Sequence, residues 1–174
     1  PGLGEYYHSG RESGTQRSPS EYAQDLVEFM NDLHEEFKIK AFYICLDPSA
    51  KGLQEEIRRA TRSGLDYSVL IRDADNDVAL GISRVQKAFV FDILSISPKQ
   101  ENLIRELGTY EYDKKSIEKG KEIPVKENDH GCDALRYAVM TAWRYIKRWL
   151  PVEIEEKEYI VDIARKGDEE DGYI

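Results

Sequence analysis

The chain has 174 residues, 40% of them hydrophobic and 10% aromatic, and a formal net charge of -9. That length and content suit a globular unit able to bury a real core, while 34% charged residues and a mean hydropathy of -0.63 indicate a heavily solvated surface. The acidic balance counts against a broad duplex-binding face, unless bound metal ions reverse the local sign.

No apolar run approaches the roughly 20 residues that span a bilayer. No charged-then-apolar leader is present either, so nothing in the sequence points to secretion. Two cysteines, Cys45 and Cys132, are too few for a disulfide scaffold and read as reduced, buried small hydrophobes.

Along the chain, Glu5-Tyr-Tyr7 reads as the end of a strand and residues 8–17 as a polar, glycine-punctuated loop. A domain that opens in mid-strand implies further sequence before Pro1. Ser18, Pro19 and Glu21 then form a helix start with a capping box, and Tyr22, Leu26, Phe29, Met30, Leu33 and Phe37 form its buried stripe. Residues 41–46 are a continuous apolar run, the pattern of a strand covered on both faces of a parallel sheet. A turn over 47–52 leads to a helix carrying Leu53, Ile57 and Ala60, which Gly64 should stop. A strand over 67–71, an acidic turn over 73–77 and a helix bearing Val78, Ile82, Val85 and Phe89 come next, with strand and helix patterns overlapping across 89–96.

Ser97-Pro98 should open another helix, with Leu103, Ile104, Leu107 and Tyr110 inward, followed by a charged loop over 113–122. The last strong helix carries Leu135, Ala138, Val139, Ala142, Ile146 and Trp149 at three-and-four spacing, capped by Asn128 or Asp129. Pro151 breaks it; a short element to about 163 and a loose acidic tail over 165–174 complete the chain. Alternating helices and apolar strands define an α/β domain with a largely parallel sheet. The expected division is a domain over 1–150 and a C-terminal extension over 151–174.

In such sheets, sites gather beyond the carboxyl ends of strands. Asp47 stands there, after Leu46, and Pro48 biases it toward extended geometry. Its plain alternative is a turn residue or the cap of the next helix. Asp133 sits where the last helix begins to be buried, three residues after His130 on the same side of the first turn. Its plain alternative is an ion pair with Arg136. Two carboxylates meeting across one cleft would repel, and a hard divalent cation removes that penalty. A pair of Mg²⁺ or Mn²⁺ ions, roughly 3.5–4 Å apart, would activate water and stabilise the leaving oxygen of a phosphodiester. His130 would ligate metal, shuttle a proton or orient phosphate. Lys114, Lys115, Lys119, Lys121 and Lys126 offer backbone contacts to DNA beside this helix, with ordinary solvated lysines as the alternative. Arg58, Arg59 and Arg62 read more readily as a solvated helix face.

Several segments occur in one order: Asp47-Pro-Ser-Ala-x-Gly-Leu; Asn76-Asp77 with Gly81-Ile82 and Val85; Asn102-Leu-Ile with Glu106-Leu and Tyr110; Pro124-x-Lys126; and Asn128-Asp-His-x-x-Asp-Ala-Leu-Arg-Tyr137. This series resembles the C-terminal nuclease domain of the large terminase subunit of tailed bacteriophages. Gly4-Glu-Tyr-Tyr-x-Ser-Gly-Arg11 resembles that family's third strand and following loop, so the likeness covers roughly residues 4–145. The resemblance implies a ribonuclease H-like mixed sheet flanked by helices, and an Mg²⁺- or Mn²⁺-dependent endonuclease with a two-metal site that cuts concatemeric viral DNA during packaging. It makes Asp47 the second catalytic acid and Asp133 the third, with His130 beside the metals. The first acid would lie on a strand before the Glu-Tyr-Tyr segment, or Glu5 would replace it. It further implies double-stranded DNA, the terminase small subunit, an ATPase domain of the same protein and the portal protein as partners, in the cytoplasm of the infected bacterium. No Gly-x-x-x-x-Gly-Lys-Ser/Thr loop occurs, so ATP hydrolysis is not expected of these residues. A non-cutting DNA-clamping or docking module of the motor and a resolvase-type nuclease of the same fold are the alternatives.

Overall fold

The structure, a computed structural model, describes residues 1–171. A single turn, α1 (Gly10–Ser13), precedes α2 (Pro19–Phe37), which starts on the expected capping box: Ser18 accepts from the Glu21 amide, and Glu21 accepts from the Ser18 amide. The most buried face of α2 is Ala23, Val27 and Met30. That face packs on α3 (Lys51–Gly64), while Phe29 and Leu33 meet the N-terminal segment at Gly4, with Tyr6 beside Phe29 and His8 against Tyr22. The expected aromatic stripe therefore lies on the flank of the helix. Gly64 is helical and packs closely: a Cβ there would lie 2.5 Å from Val27 Cγ1, so its smallness, not a left-handed turn, lets the two helices meet.

Two strands flank α3. β1 (Tyr43–Leu46) and β2 (Leu70–Asp73) pair in parallel, with Tyr43 opposite Leu70 and Leu46 opposite Asp73. Both carboxyl ends thus lie at one edge, tied together where the Ala74 amide donates to the Leu46 carbonyl at 2.8 Å. β2 lies three residues later than the sequence pattern suggests. β1 is only half-buried and β2 mostly exposed, so the apolar run does not signal coverage on both faces.

Beyond β2, Asp77 caps α4 (Val78–Val90) by accepting from the Leu80 amide at 3.0 Å. The overlapping segment after it is a turn, with Ile96 bridged in parallel to Gly2. The next helix, α5 (Glu101–Thr109), begins later than Ser97-Pro98 implies. Its first amides are met by Glu5, which accepts from Asn102 N at 2.7 Å and Leu103 N at 3.0 Å. Within the charged 113–122 segment Asp113 caps a short helix, α6 (Lys114–Glu118), and an antiparallel bridge joins Tyr112 to Pro124.

The central helix, α7 (His130–Ile146), packs on α4, α5 and β1. Val139, Trp143 and Leu150 are buried, with Val85, Ile93, Leu94, Leu135, Ile146 and Ile154 around them. After a 3-10 turn and Pro151, α8 (Val152–Asp171) turns back against α4. The residues from Arg165 to Asp171, read from sequence as a loose tail, continue this helix; 172–174 lie outside the described residues. Glu158 and Asp162 meet Arg84, Lys87 and Lys147, and Arg84 and Glu158 are almost fully buried, their side chains 3% and 2% exposed.

Candidate functional site

The shared carboxyl edge of β1 and β2 carries Asp47, half-buried at the strand end, and the loop 74–77. Asp47 Oδ1 accepts from the Ser49 amide at 2.8 Å and hydroxyl at 2.5 Å, the side-chain turn expected of an Asp-Pro-Ser segment. The helix after it starts from Ala50, so Asp47 is not its cap. Oδ2 points the other way and accepts from the Tyr137 hydroxyl of α7 at 2.9 Å. The Ser49 hydroxyl and amide, then the Tyr137 hydroxyl, hold the Asp47 carboxyl below its usual range.

Asp133, one turn before Tyr137 on α7, accepts from Arg136 Nη2 at 2.9 Å, and Lys126 Nζ lies 3.3 Å from its Oδ2. The ion pair with Arg136 read from sequence is present. Burial works against the charge of Lys126, but Asp133 and Asp129 outweigh it and raise the lysine's pKa. Burial likewise opposes the charge of Arg136, and Asp133 raises it. Burial, then Asp47 and Asp133, raise the Tyr137 phenol.

The two aspartates are linked through Asn76. Its Oδ1 lies 3.2 Å from Arg136 Nη2 and 3.3 Å from Tyr137 Oη, so the donors that hold Asp133 and Asp47 share this third acceptor. Arg136 is 2% exposed and its guanidinium lies 4.7 Å from the Tyr137 ring centroid. Gly81 of α4 makes room for it: a Cβ there would stand 2.5 Å from Arg136 Cγ and 2.7 Å from Cδ. The price of this packing is that Arg136 Nε and Nη1 are buried without hydrogen-bond partners. Spacing alone could have singled out Tyr137, four residues after Asp133 on one helix face. Asn76 belongs to the Asn76-Asp77 segment of the resemblance, but nothing local gives it this role, because its partners lie about sixty residues away along the chain.

The start of α7 is held from outside the helix. Neither Asn128 nor Asp129 supplies the expected side-chain cap. Asn128 takes a left-handed backbone, φ 51°, and the Gly131 and Cys132 amides donate to Glu106 Oε2 of α5 at 2.6 and 3.1 Å. Glu5 is committed to α5 in the same way, so both its oxygens serve a helix start. Lys126 Nζ also lies 3.3 Å from Asp129 Oδ2 but without hydrogen-bond geometry, leaving that buried oxygen with an ionic neighbour only. Burial, with the charges of Glu106, Asp133 and Asp129, pushes the Cys132 thiol up to about 12, so it stays protonated. Cys45 is also a free thiol and only half-buried.

His130 opens α7 at the surface and lines a cleft with Tyr7, His8, Tyr22, Glu106 and Asp129; neither Asp47 nor Asp133 lines it. Among the described residues no group of three or more His, Cys, Asp or Glu side chains could hold a metal ion, so His130 is not gathered with the two aspartates. The chemistry of Asp47 and Asp133, hard carboxylate oxygens that are partly open to solvent, fits a divalent cation of the Mg²⁺ type. Lys114, Lys115, Lys119 and Lys121 are exposed and form no ion pair among the described residues, whereas Lys126 is engaged with Asp129 and Asp133. Arg58 and Arg59 pair with Glu55 and Glu56 on their own helix.

Two acids from a strand end and a later helix, in a helix-flanked α/β domain, are the arrangement of a ribonuclease H-like protein. A family model described as a terminase RNase H-like domain matches residues 25–141, and the chain belongs to that family of terminase nuclease domains. Among solved structures, it is similar to the large terminase from a thermophilic bacteriophage. Crystal form 3 of that protein matches at 32% identity and a TM-score of 0.68, covering 79% of this chain and 32% of that one. Crystal form 2 matches at 32% identity and a TM-score of 0.69 with the same coverage. The same terminase in complex with ADP matches at 30% identity and a TM-score of 0.68. The chain thus spans roughly a third of the length of those terminases. A comparison with curated protein sequences returns no match. No described helix is long and apolar enough to cross a membrane.

Proposed function

We propose that this chain is an Mg²⁺- or Mn²⁺-dependent endodeoxyribonuclease that cuts concatemeric viral DNA during genome packaging. The observation that carries the reading is the convergence of Asp47 and Asp133 on one set of side chains, Tyr137, Arg136 and Asn76, in a terminase nuclease domain. Asp47 and Asp133 would hold the metal, which when bound activates water and stabilises the leaving oxygen of the phosphodiester. The chain's own contribution is to aim both acids and to hold Asp47 ionised. Ser49 fixes Asp47 Oδ1, and Arg136 fixes Asp133 Oδ1. His130, at the rim of the neighbouring cleft, is placed better to orient phosphate or move a proton than to ligate metal. Lys114, Lys115, Lys119 and Lys121 would meet the DNA backbone, and Lys126 would reach it only by leaving Asp133.

Double-stranded DNA is therefore the proposed substrate. The terminase small subunit, an ATPase domain of the same protein and the portal are the proposed partners, in the cytoplasm of an infected bacterium. Supercoiled plasmid titrated with Mn²⁺ tests this. Nicking is expected from the parent chain and its loss, by about 100-fold or more, from Asp47→Ala and Asp133→Ala with unchanged circular dichroism. Either variant cutting at the parental rate would refute the assignment. His130→Ala should lower the rate without changing metal affinity.

A non-cutting docking module is the second reading. It is favoured by one observation: Asp133 is already neutralised by Lys126 and Arg136. Such a module binds DNA without nicking it at any Mn²⁺ concentration.

A further inference from the structure

We infer that Asn76 is a positioning residue that takes over the Tyr137 proton when Asp47 binds a cation; this rests on the metal-dependent nuclease reading above. A phenol has a single proton to donate. The Tyr137 hydroxyl faces two acceptors, Asp47 Oδ2 at 2.9 Å and Asn76 Oδ1 at 3.3 Å. The nearer, ionised carboxylate holds the proton in the cation-free site. Were Asp47 to hold a cation, its carboxylate would be a weaker acceptor for that proton. Rotation about the phenol C–O bond then carries it to Asn76, so the half-buried hydroxyl is never left without an acceptor.

Two features keep Asn76 ready for this role. Arg136 Nη2 donates to the same amide oxygen at 3.2 Å, which turns the amide with its oxygen, not its nitrogen, toward Tyr137. The loop itself is fixed on both sides of Asn76. Asp75 is held by two nitrogens of Arg165 from α8, at 2.9 and 3.0 Å, and Asp77 caps α4. Asn76 is exposed and its side chain fills no core space, so its removal should leave the fold intact.

The test is a double-mutant cycle on Mn²⁺ affinity measured by calorimetry, with urea midpoints as a check on folding. Asn76→Ala should weaken Mn²⁺ binding roughly fivefold to tenfold, the scale of one lost acceptor. Tyr137→Phe removes the proton that needs rehousing, so in that background Asn76→Ala should change affinity by less than about twofold. Additive effects, or parental affinity in Asn76→Ala while Asp47→Ala loses the ion, overturn the role of Asn76 and leave the nuclease reading standing. Equal Mn²⁺ binding by the parent and Asp47→Ala overturns that reading and this inference with it.

Discussion

Asp47 and Asp133 are both carboxylates, yet their neighbours treat them differently. Asp47 is stabilised by neutral donors, Ser49 first and then Tyr137, while Asp133 meets two cations. Because the folded Asp47 pKa is depressed, its contribution to stability is present above the ordinary carboxylate value near 3.9 and is lost as pH falls through the lower folded value. Acidification from about pH 7 to about pH 5 should therefore leave Asp47 ionised and able to bind a cation. Removing the Ser49 hydroxyl takes away the first of its causes. In Ser49→Ala the acid limb of Mn²⁺ binding should move to higher pH, read as affinity against pH; superimposable limbs would show that Ser49 does not set this ionisation. The places of the two aspartates in the fold were legible in sequence because each follows a simple local rule, a strand end before proline and the first turn of an amphipathic helix. Their environment was not, since Asn76 and Tyr137 reach each other and Asp47 only through the fold, as Lys126 reaches Asp133.

At the scale of elements, a relay of carboxylates sets the helices that carry the site. Glu5 receives the start of α5, and Glu106 on α5 receives the start of α7, which presents Asp133 in its first turn. Each acceptor stands in for a local cap, and each also places negative charge at the positive end of a helix. Glu106→Ala should cost about 1–2 kcal/mol, the range for a lost N-cap, seen as a lowered urea midpoint with little change in slope. Gly131 belongs to the same joint, because a Cβ there would lie 2.9 Å from Glu106 Oε2. This explains why sequence located the starts of α2 and α7 but placed the start of α5 too early, and why it assigned α7 a local side-chain cap that it does not have. Ser18 and Glu21 are three residues apart and can be read as a box, whereas Glu5 and Asn102 are separated by 97 positions. α6 was read as charged loop because it is five residues long, too short for hydrophobic spacing to declare it. Its exposed lysines make a separate prediction. Changing Lys114, Lys115, Lys119 and Lys121 to Gln should weaken duplex binding and flatten its dependence on salt. The expected change in slope is roughly 0.9 log units for each phosphate that is no longer neutralised; an unchanged slope would assign DNA binding to another face.

Across the whole molecule, α8 joins the buried core to the loop that carries Asn76. Arg84 and Lys87 of α4 hold Glu158, and Arg84 and Lys147 hold Asp162. Farther along the same helix, Arg165 holds Asp75. Burial alone would raise the Asp162 carboxyl, but Lys147 and Arg84 outweigh it and lower the pKa. Burial is likewise outweighed at Asp75, where Arg165 lowers it. Both contributions are therefore intact above the unfolded carboxylate value near 3.9 and disappear as pH falls through the lower folded values. α8 should stay docked at about pH 5 and loosen below about pH 4. It should release the 74–77 loop before the core around Val139, Trp143 and Leu150 gives way, because the contacts among those apolar side chains do not titrate. Hydrogen exchange followed against pH should show α8 and residues 74–77 losing protection together, ahead of α7. Asp162→Asn, which cannot titrate, should weaken α8 protection at neutral pH and flatten its acid dependence. If the parent and Asp162→Asn lost α8 protection along the same acid limb, the helix would be held by its apolar contacts, and its ion pairs would have no part in fixing the loop beside the site.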